Sequence, residues 1–374
     1  MERGLQAIRS NGLNSTNCKA TKPLRALSLF SGGGGLDLGF SAAGFAVCCS
    51  TDIDPFSCKT LQINNGKKPF YAHTHSIPAD IRKISAAHLL KEIGLKGQID
   101  IVLGGPPCQA FSVFGQRKGM GDPRGNLVWE YLRIIREVQP KAFLFENVAG
   151  LKSIHGGELY EKILEELTAC GYRVSAHNYQ VADFGIPQFR DRVFFIGARN
   201  GALVPPMEPT HGNSHLFIAQ YRTANEALRF LPDPGPGSGL PNHIGRKHSN
   251  RIVTRYRGLE FGERDPKTRI NKLEPSRPSF TIIVGSDKGG GKGHVHPFAP
   301  REVTPRESAR MQTFPDWWEF CGTGRHVIRQ VGNAVPPLFA ALLAEHVKMH
   351  VFGAKQKKSY EELVKILGLD YLCE

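Results

Sequence analysis

The chain has 374 residues, more than one typical domain, and its 48 Lys and Arg residues outnumber its 34 Asp and Glu residues, which gives a formal charge of +14. This excess favours a polyanionic partner, with nucleic acid as the leading class, over a basic protein that has no such partner. No window approaches the roughly 20 apolar residues that span a bilayer, and residues 1–20 lack the apolar core of a signal peptide, so we expect neither a membrane protein nor a secreted one.

Short apolar runs alternate with helix-compatible stretches between residues 24 and 199. The apolar runs predict strands at residues 25–30, 45–50, 99–104, 142–146, 172–181 and 193–198. The stretches between them predict helices at residues 36–43, 56–63, 85–93, 127–138 and 158–169. Such alternation is typical of a doubly wound α/β domain with a mainly parallel sheet. Ligands bind such sheets at the carboxyl ends of the strands, so one crevice is expected to collect the loops that begin at Ser31, Asp52, Gly105 and Asn147.

Proline and glycine interrupt any helical pattern after residue 199, which predicts a smaller, irregular second lobe. Residues 241–300 contain 12 Lys and Arg residues and five acidic residues, so half of the net charge lies there. We interpret this segment as a face that contacts phosphates and whose arginines can read base edges. The alternative is a solvated surface without a partner.

Helical patterning returns near the end of the chain. Residues 304–312 predict a capped helix, and residues 335–351 predict a last apolar helix that follows a turn at Gly332-Asn333. A short amphipathic helix with no evident chemistry is expected within residues 355–374.

The eight cysteines contain no CxxC pair and no ladder of close spacings. Neither a metal site nor a disulfide framework is therefore predicted. Most of the cysteines are expected to be reduced core thiols.

A glycine-rich turn at residues 30–36 follows the first strand and opens a helix, so its backbone can approach a cofactor closely. Its spacing departs from the dinucleotide fingerprint, which argues against a nicotinamide enzyme. The next strand ends at Asp52 and Ile53, where the acid can bind ribose hydroxyls and the apolar side chain can pack on an adenine ring. Asp80 and Ile81 can supply an acceptor for the adenine amino group. Each acid, taken singly, is more often a surface residue or a helix cap.

Cys108 follows a buried strand and two prolines, which predicts an exposed thiol on a stiff loop. The thiolate is the reactive form, and its pKa falls near a positive charge that Arg190 or Arg192 can provide. Residues 111–125 combine four glycines with three cations, a composition typical of a mobile lid that binds phosphates. An ordinary loop with a chance cysteine is the alternative.

Glu146 ends a second apolar strand, where desolvation raises a carboxyl pKa and makes the group a candidate proton donor. Arg190 and Arg192 stand two residues apart before another strand, and alternate residues of an extended segment point the same way. Both guanidinium groups can thus face one pocket, although we expect one of the two to be mainly structural.

These segments resemble, in this order, the DNA cytosine-5 methyltransferase family, and they are most similar to its bacterial restriction-modification members. The resemblance covers residues 24–199 and 301–350. It rests on LSLFSGGGGLDLGF (27–40), DIVLGGPPCQAFSVFGQRKG (100–119), FLFENVAGL (143–151), QFRDR (188–192), REVTPRESARMQTFP (301–315) and QVGNAVPP (330–337).

The resemblance implies S-adenosyl-L-methionine as the methyl donor and S-adenosyl-L-homocysteine as its product. The positions that match the family's cofactor site are Phe30, Gly32, Gly34, Gly35, Leu36, Asp52, Ile53, Asp80, Ile81, Pro107, Leu127, Asn333 and Val335. A bulky residue often follows the ribose-binding acid in relatives, and Ile53 offers weaker stacking there.

The resemblance also implies a mechanism in which the Cys108 thiolate attacks carbon-6 of a cytosine flipped out of duplex DNA. Glu146, Arg190 and Arg192 would complete the catalytic set. The residues expected to contact DNA are Ser112, Gln116, Arg117, Lys118, Arg124, Arg251, Arg255 and Arg257. A monomer in the bacterial cytoplasm, associated with the nucleoid and paired with a cognate restriction endonuclease, is the expected context.

The predicted organisation has five parts. They are an amino-terminal tail (1–23), a catalytic and cofactor-binding domain (24–199), a small target-recognition domain (200–325), a carboxy-terminal helix that returns to the catalytic domain (326–352) and a tail (353–374). Two alternatives remain open: a relative that methylates cytosine in transfer RNA, and an inactive homologue that serves as a binding module.

Overall fold

The computed structural model describes residues 22–95, 97–107, 127–152, 154–213, 218–282, 284 and 293–373. Several predicted functional residues lie outside these ranges, namely Cys108, Ser112, Gln116, Arg117, Lys118 and Arg124.

A seven-stranded sheet forms the centre of the large lobe. Its strands are β1 (Arg25–Leu29), β2 (Ala46–Asp52), β3 (His75–Pro78), β4 (Ile101–Gly104), β5 (Ala142–Val148), β6 (Arg173–Gln180) and β7 (Asp191–Ala198). They lie in the order β3-β2-β1-β4-β5-β7-β6, and β7 runs antiparallel to both of its neighbours. The predicted α/β fold with a mainly parallel sheet is thus confirmed.

Helices cover both faces of this sheet. They are α1 (Gly35–Ala42), α2 (Pro55–Asn64), α3 (Ala86–Glu92), α4 (Leu127–Val138) and α5 (Glu158–Ala169). Neighbouring residues of a strand supply opposite faces: Leu144 packs into the core that contains α1, whereas Phe143 and Phe145 pack into the core that contains α4 and α5. Both faces are therefore buried, as expected of a doubly wound domain.

The segment after residue 199 has little regular structure, as its prolines and glycines predict. It contains the two-residue strands β8 (His211–Gly212) and β9 (Ala219–Gln220) and the helices α6 (Ala224–Leu228) and α7 (Asn250–Arg257). A small apolar cluster of Tyr256, Leu259, Ile270 and Val295 lies beneath α7. The domain boundaries given above stay a prediction.

Within residues 293–373 the structure contains four further α-helices: α8 (Pro305–Met311), α9 (Gly324–Asn333), α10 (Pro337–Phe352) and α11 (Tyr360–Leu367). The expected turn at Gly332-Asn333 is wrong, because both residues belong to the last turn of α9. The break falls at residues 334–336 instead, since consecutive prolines disfavour a continuous helix at this point. The helix expected within the tail is present as α11.

The segment Gly324–Phe352 is long and apolar enough, by length and composition, to cross a membrane, contrary to the expectation that no such window exists. It nonetheless packs as a core element, because 78% of its apolar window is buried inside the protein. Helix α10 lies directly on α1, where a Cβ atom at Gly39 would come within 2.5 Å of the Ala340 Cβ and the Pro337 carbonyl oxygen. Only glycine permits this close approach.

Candidate active site

A cleft of about 840 Å³ opens at the carboxyl ends of β1, β2, β4 and β5. Glu146 and Arg192 lie in its wall, as do Ser31 and Asn147. The wall also contains every predicted cofactor position except Gly34, namely Phe30, Gly32, Gly35, Leu36, Asp52, Ile53, Asp80, Ile81, Pro107, Leu127, Asn333 and Val335. Strand ends that are far apart in the sequence thus form one crevice, as the parallel topology predicts.

The glycine-rich turn packs closely on the carboxy-terminal helices. A Cβ atom at Gly35 would collide with the Val335 carbonyl oxygen. Gly34 adopts a left-handed conformation with φ at +84°, and its Cβ would lie 2.5 Å from Leu61 Cδ2 and 2.8 Å from Trp318 Cζ2. Gly34 therefore serves packing behind the turn and does not line the cleft, unlike the other predicted glycines.

Asp52 presents a half-buried carboxylate that backbone amides orient. The Gly32 amide donates to one oxygen and the Asp54 amide to the other, each at 2.8 Å. Burial raises the pKa of Asp52 above its usual value. Each carboxylate oxygen can accept a further hydrogen bond, so the group can receive hydroxyl donors from a ligand in the cleft. The next residue, Ile53, is 65% exposed at the rim.

Asp80 both caps a helical turn and lines the cleft. Its carboxylate caps a short 3-10 turn (Ile81–Lys83) and accepts hydrogen bonds from Arg82 Nε at 2.8 Å and Arg82 Nη2 at 2.7 Å. The hydrogen bond from Arg82 lowers the pKa of Asp80, so the group is ionised. It lines the cleft while acting as a cap, and Arg82 lines the cleft with it.

Beneath the glycine-rich turn lies a buried acid that the sequence analysis did not single out. Asp37 is fully buried in the first turn of α1, and its two oxygens accept hydrogen bonds from the Ser28 and Ser50 hydroxyls. The Ser31 hydroxyl donates to Ser28 Oγ at 3.0 Å and so extends this network into the turn. Burial raises the pKa of Asp37 to about 6. One carboxyl group thus connects β1, β2 and the floor of the cleft.

We predict that Asp37→Asn reduces the pH dependence of folding. The folded-state pKa lies above the unfolded value, so the stabilisation from the protonated acid is complete below about pH 4 and is lost as the pH rises through about 6. Urea denaturation measures the free energy of unfolding of the Asn variant and of wild type. The value for the variant minus that for wild type should therefore increase by about 1 kcal/mol from about pH 5 to about pH 8. The exposed Asp233→Asn is the matched control. A constant difference between Asp37→Asn and wild type over this range would contradict the buried titration.

Glu146 occupies the end of β5 and is only 8% exposed. Arg192 Nε lies 3.0 Å from Glu146 Oε1. Burial raises the pKa of Glu146, and the positive charges of Arg192 and Arg190 oppose this shift only in part. A Cβ atom at Gly105 would lie 2.8 Å from Glu146 Oε2, so a larger residue here would displace the carboxyl group.

The loop that leads to Cys108 is held against this acid. Asn147 Nδ2 donates to the Pro106 carbonyl at 3.2 Å, and Gly105, Pro106 and Pro107 all line the cleft. The structure therefore brings the chain to the edge of the cleft one residue before Cys108. Asn147 was not predicted as a site residue, although it directly follows Glu146 in the FLFENVAGL segment.

No cysteine within the described ranges lines the cleft. Burial raises the pKa of Cys49 and of Cys58 to about 12, which disfavours the thiolate form at both positions. The same ranges contain no cluster of three or more His, Cys, Asp or Glu side chains that could hold a metal ion.

Arg190 and Arg192 have different environments, in contrast to the shared pocket that their spacing allowed. Arg192 lines the cleft, whereas Arg190 is 1% exposed and donates to the Gly332 carbonyl at 2.8 Å and the Asn333 carbonyl at 3.3 Å. These contacts connect the segment before β7 to the end of α9. Arg190 is thus the structural member of the pair and is not placed to touch a ligand.

The arginines of α7 that are predicted to contact DNA also lie in different environments. Arg251 and Arg257 are exposed. Arg255 is paired with the fully buried Asp265 through two of its three side-chain nitrogens, Nε and Nη2. The guanidinium group of Arg255 therefore holds α7 to the following loop, and its assignment as a DNA contact stays a prediction.

A model of the family described as C-5 cytosine-specific DNA methylase matches residues 24–349. A type II methyltransferase of Neisseria gonorrhoeae is 34% identical over 372 residues, which cover 95% of each chain. A type II methyltransferase of Haemophilus parahaemolyticus is 34% identical over 336 residues, or 87% of this chain and 86% of the relative.

Solved structures have the same architecture. A candidate DNA modification methyltransferase of an E. coli prophage superposes with a TM-score of 0.70 at 26% identity, over 88% of this chain and 100% of that chain. The Dnmt2 methyltransferase of S. pombe superposes with a TM-score of 0.61 at 19% identity, over 87% of this chain and 98% of that one. The second likeness concerns the fold alone.

Proposed function

The chain belongs to the C-5 cytosine-specific DNA methylase family, and on that premise we propose that it flips a target cytosine out of duplex DNA and methylates carbon-5 as the modification half of a restriction-modification system. The observation that carries this proposal is the buried Glu146–Arg192 pair at the edge of the cleft, beside the loop that leads to Cys108. The restriction-modification context is supported by the type II methyltransferases that match along most of their length.

The cleft has properties that fit S-adenosyl-L-methionine. Its volume of about 840 Å³ is in the range of small-molecule sites, and the glycine-rich turn leaves no side chain between backbone and ligand. Asp52 would hold the ribose hydroxyls, Ile53 and Ile81 would contact the adenine, and Asp80 would accept from its amino group. The bound molecule supplies an electrophilic methyl group. The same residues would bind the product S-adenosyl-L-homocysteine.

The side chains at the other end of the cleft would act on the base. Carbon-5 of cytosine is a poor nucleophile, and addition of the Cys108 thiolate to carbon-6 places electron density on carbon-5. Glu146 would hold a proton at ring nitrogen 3, which its raised pKa favours. Arg192 would orient Glu146 and the carbonyl oxygen of the base. After methylation, loss of the carbon-5 proton expels the thiolate and restores the aromatic ring.

A base within a duplex cannot reach both Cys108 and the methyl donor, so we infer that it is flipped out at an energetic cost of a few kcal/mol. Arg251 and Arg257 on α7 would contribute phosphate or base contacts. Further DNA contacts are assigned to the segment after Cys108, at Ser112, Gln116, Arg117, Lys118 and Arg124. The proposed unit is a monomer acting on bacterial chromosomal DNA, with a restriction endonuclease as its functional partner.

Transfer of a radiolabelled methyl group tests the substrate class. The purified chain should label duplex DNA and should leave unmodified transfer RNA unlabelled under the same conditions. Bisulfite sequencing of DNA from expressing cells should then show methylation at one recurrent sequence context, because a modification enzyme must read a defined site. Labelling of transfer RNA in place of DNA, or methylation without sequence context, would contradict the proposal.

A further inference from the structure

Arg329 is an arginine at the mouth of the cleft for which neither the sequence patterns nor the family match assigns a role. It lies on α9, one residue before Gln330, and both residues line the cleft. Its side chain is 39% exposed. A cationic head at the opening of a ligand site can therefore contact both a bound molecule and solvent.

The ion pair of Arg329 fixes it at the rim beside the ribose-binding loop. Arg329 Nη2 lies 3.2 Å from Asp54 Oδ2, while the Asp54 amide donates to Asp52 at 2.8 Å. Asp54 also caps α2, accepting from the Phe56 amide at 3.1 Å. A short chain of contacts thus links Arg329 to the carboxylate that is expected to hold the ribose.

Two further contacts join α9 to α2 along the same wall. Thr60 Oγ1 donates to Gln330 Oε1 at 2.7 Å inside the protein. The Phe56 and His326 rings stack at the surface, with centroids 4.3 Å apart. Because Arg329 stands between these anchors, its Cα position is set by packing and not by the ion pair alone.

The chemistry of the rim favours a planar cation there. Ile53 is 65% exposed and aliphatic, so it can cover a purine but cannot stack on it as an aromatic ring does. A guanidinium plane stacks on aromatic faces and keeps its edge nitrogens free for a carboxylate. Arg329 meets both conditions, because its contact with Asp54 involves one terminal nitrogen and the residue lines the cleft.

We propose that Arg329 is a binding residue for the adenosine end of the methyl donor and its product, with its guanidinium group covering the purine at the mouth of the cleft. This inference rests on the proposed binding of S-adenosyl-L-methionine in the cleft. It assigns to α9 a part in cofactor affinity beyond the contribution of Asn333.

Arg329→Ala should weaken binding of S-adenosyl-L-homocysteine, measured by calorimetry without DNA, by roughly three- to tenfold, as expected for loss of a partly exposed charged contact. The inhibition constant of adenosine should rise by a similar factor, because adenosine contains only the end that Arg329 is proposed to cover. Arg329→Lys should give an intermediate loss, since it keeps the charge without the planar group. In turnover, the loss should appear in KM for S-adenosyl-L-methionine and not in kcat.

Arg325→Ala is the matched control, because Arg325 is an exposed residue one turn away on α9 that does not line the cleft. Unchanged affinity in Arg329→Ala, an equal loss in Arg325→Ala, or a loss for S-adenosyl-L-homocysteine without one for adenosine would each overturn the role of Arg329. If the wild-type chain itself binds neither probe, the proposed function fails, and the two failures are thereby distinguished.

Discussion

Cys108→Ala is expected to lower the rate of methyl transfer to DNA by at least about 10³-fold, which corresponds to roughly 4 kcal/mol of lost transition-state stabilisation. Without the thiolate, the proposed addition to carbon-6 is lost, and carbon-5 then stays too electron-poor to attack a methyl group. Burial holds the thiols of Cys49 and Cys58 in the protonated form, so neither can substitute. Single-turnover transfer from labelled S-adenosyl-L-methionine measures the effect.

The control for this variant is Cys170→Ala, since Cys170 is a half-buried free thiol at the end of α5 that does not line the cleft. It should keep the wild-type rate. Duplex DNA that carries 5-fluorocytosine at the target provides a second readout, because carbon-5 then cannot lose a proton and the wild-type adduct should persist in denaturing gels. A fully active Cys108→Ala variant, or no adduct with wild type in the presence of the methyl donor, would exclude covalent catalysis by Cys108. A wild-type chain that binds DNA but transfers no methyl group would favour a binding module.

The framework of the cleft could be predicted because it depends on local patterns. Strand ends follow from apolar runs, and a parallel sheet brings those ends to one edge, so Asp52, Gly105 and Glu146 were expected together and are found together. Strand β3 was missed because its four residues, HSIP, contain neither an apolar run nor an alternating pattern. It joins the sheet through its pairing with β2, which is a tertiary contact.

The sequence could not show which groups the arginine side chains contact. Arg190 and Arg192 are equivalent in spacing, yet only the fold shows that Arg190 reaches two carbonyl groups at the end of α9. Arg255 looks like a free cation until Asp265 is placed against it. Arg329 and Asp54 are far apart in the chain, and their contact exists only because α9 returns to α2. In each case the contact depends on tertiary structure and not on a repeating local pattern, and two of the three contacts join segments that are far apart in the chain.

Glu146→Gln is expected to reduce kcat by about 10²- to 10⁴-fold, the usual range for loss of a general acid. An amide of nearly the same shape can donate a hydrogen bond to ring nitrogen 3 but cannot supply the proton that stabilises the thiolate adduct. Glu146→Asp should recover part of the rate, because it keeps the acid at a greater distance. The measurement is single-turnover transfer at saturating DNA and methyl donor.

The stability of Glu146→Gln shows whether a loss of activity comes from lost chemistry or from misfolding. Burial raises the pKa of Glu146 despite the nearby Arg192. A raised folded-state pKa means that the acid stabilises the fold at low pH and that this contribution is lost as the pH rises through the folded value. The neutral Gln variant escapes that loss and can still accept a hydrogen bond from Arg192 Nε, so its Tm at and above neutral pH should equal or exceed that of wild type.

The turnover rate of wild type should also fall at alkaline pH as Glu146 ionises, and the rate of the Gln variant should not show this decrease. An inactive variant with a clearly lowered Tm would assign Glu146 to structure, whereas an active one would remove it from the proposed mechanism.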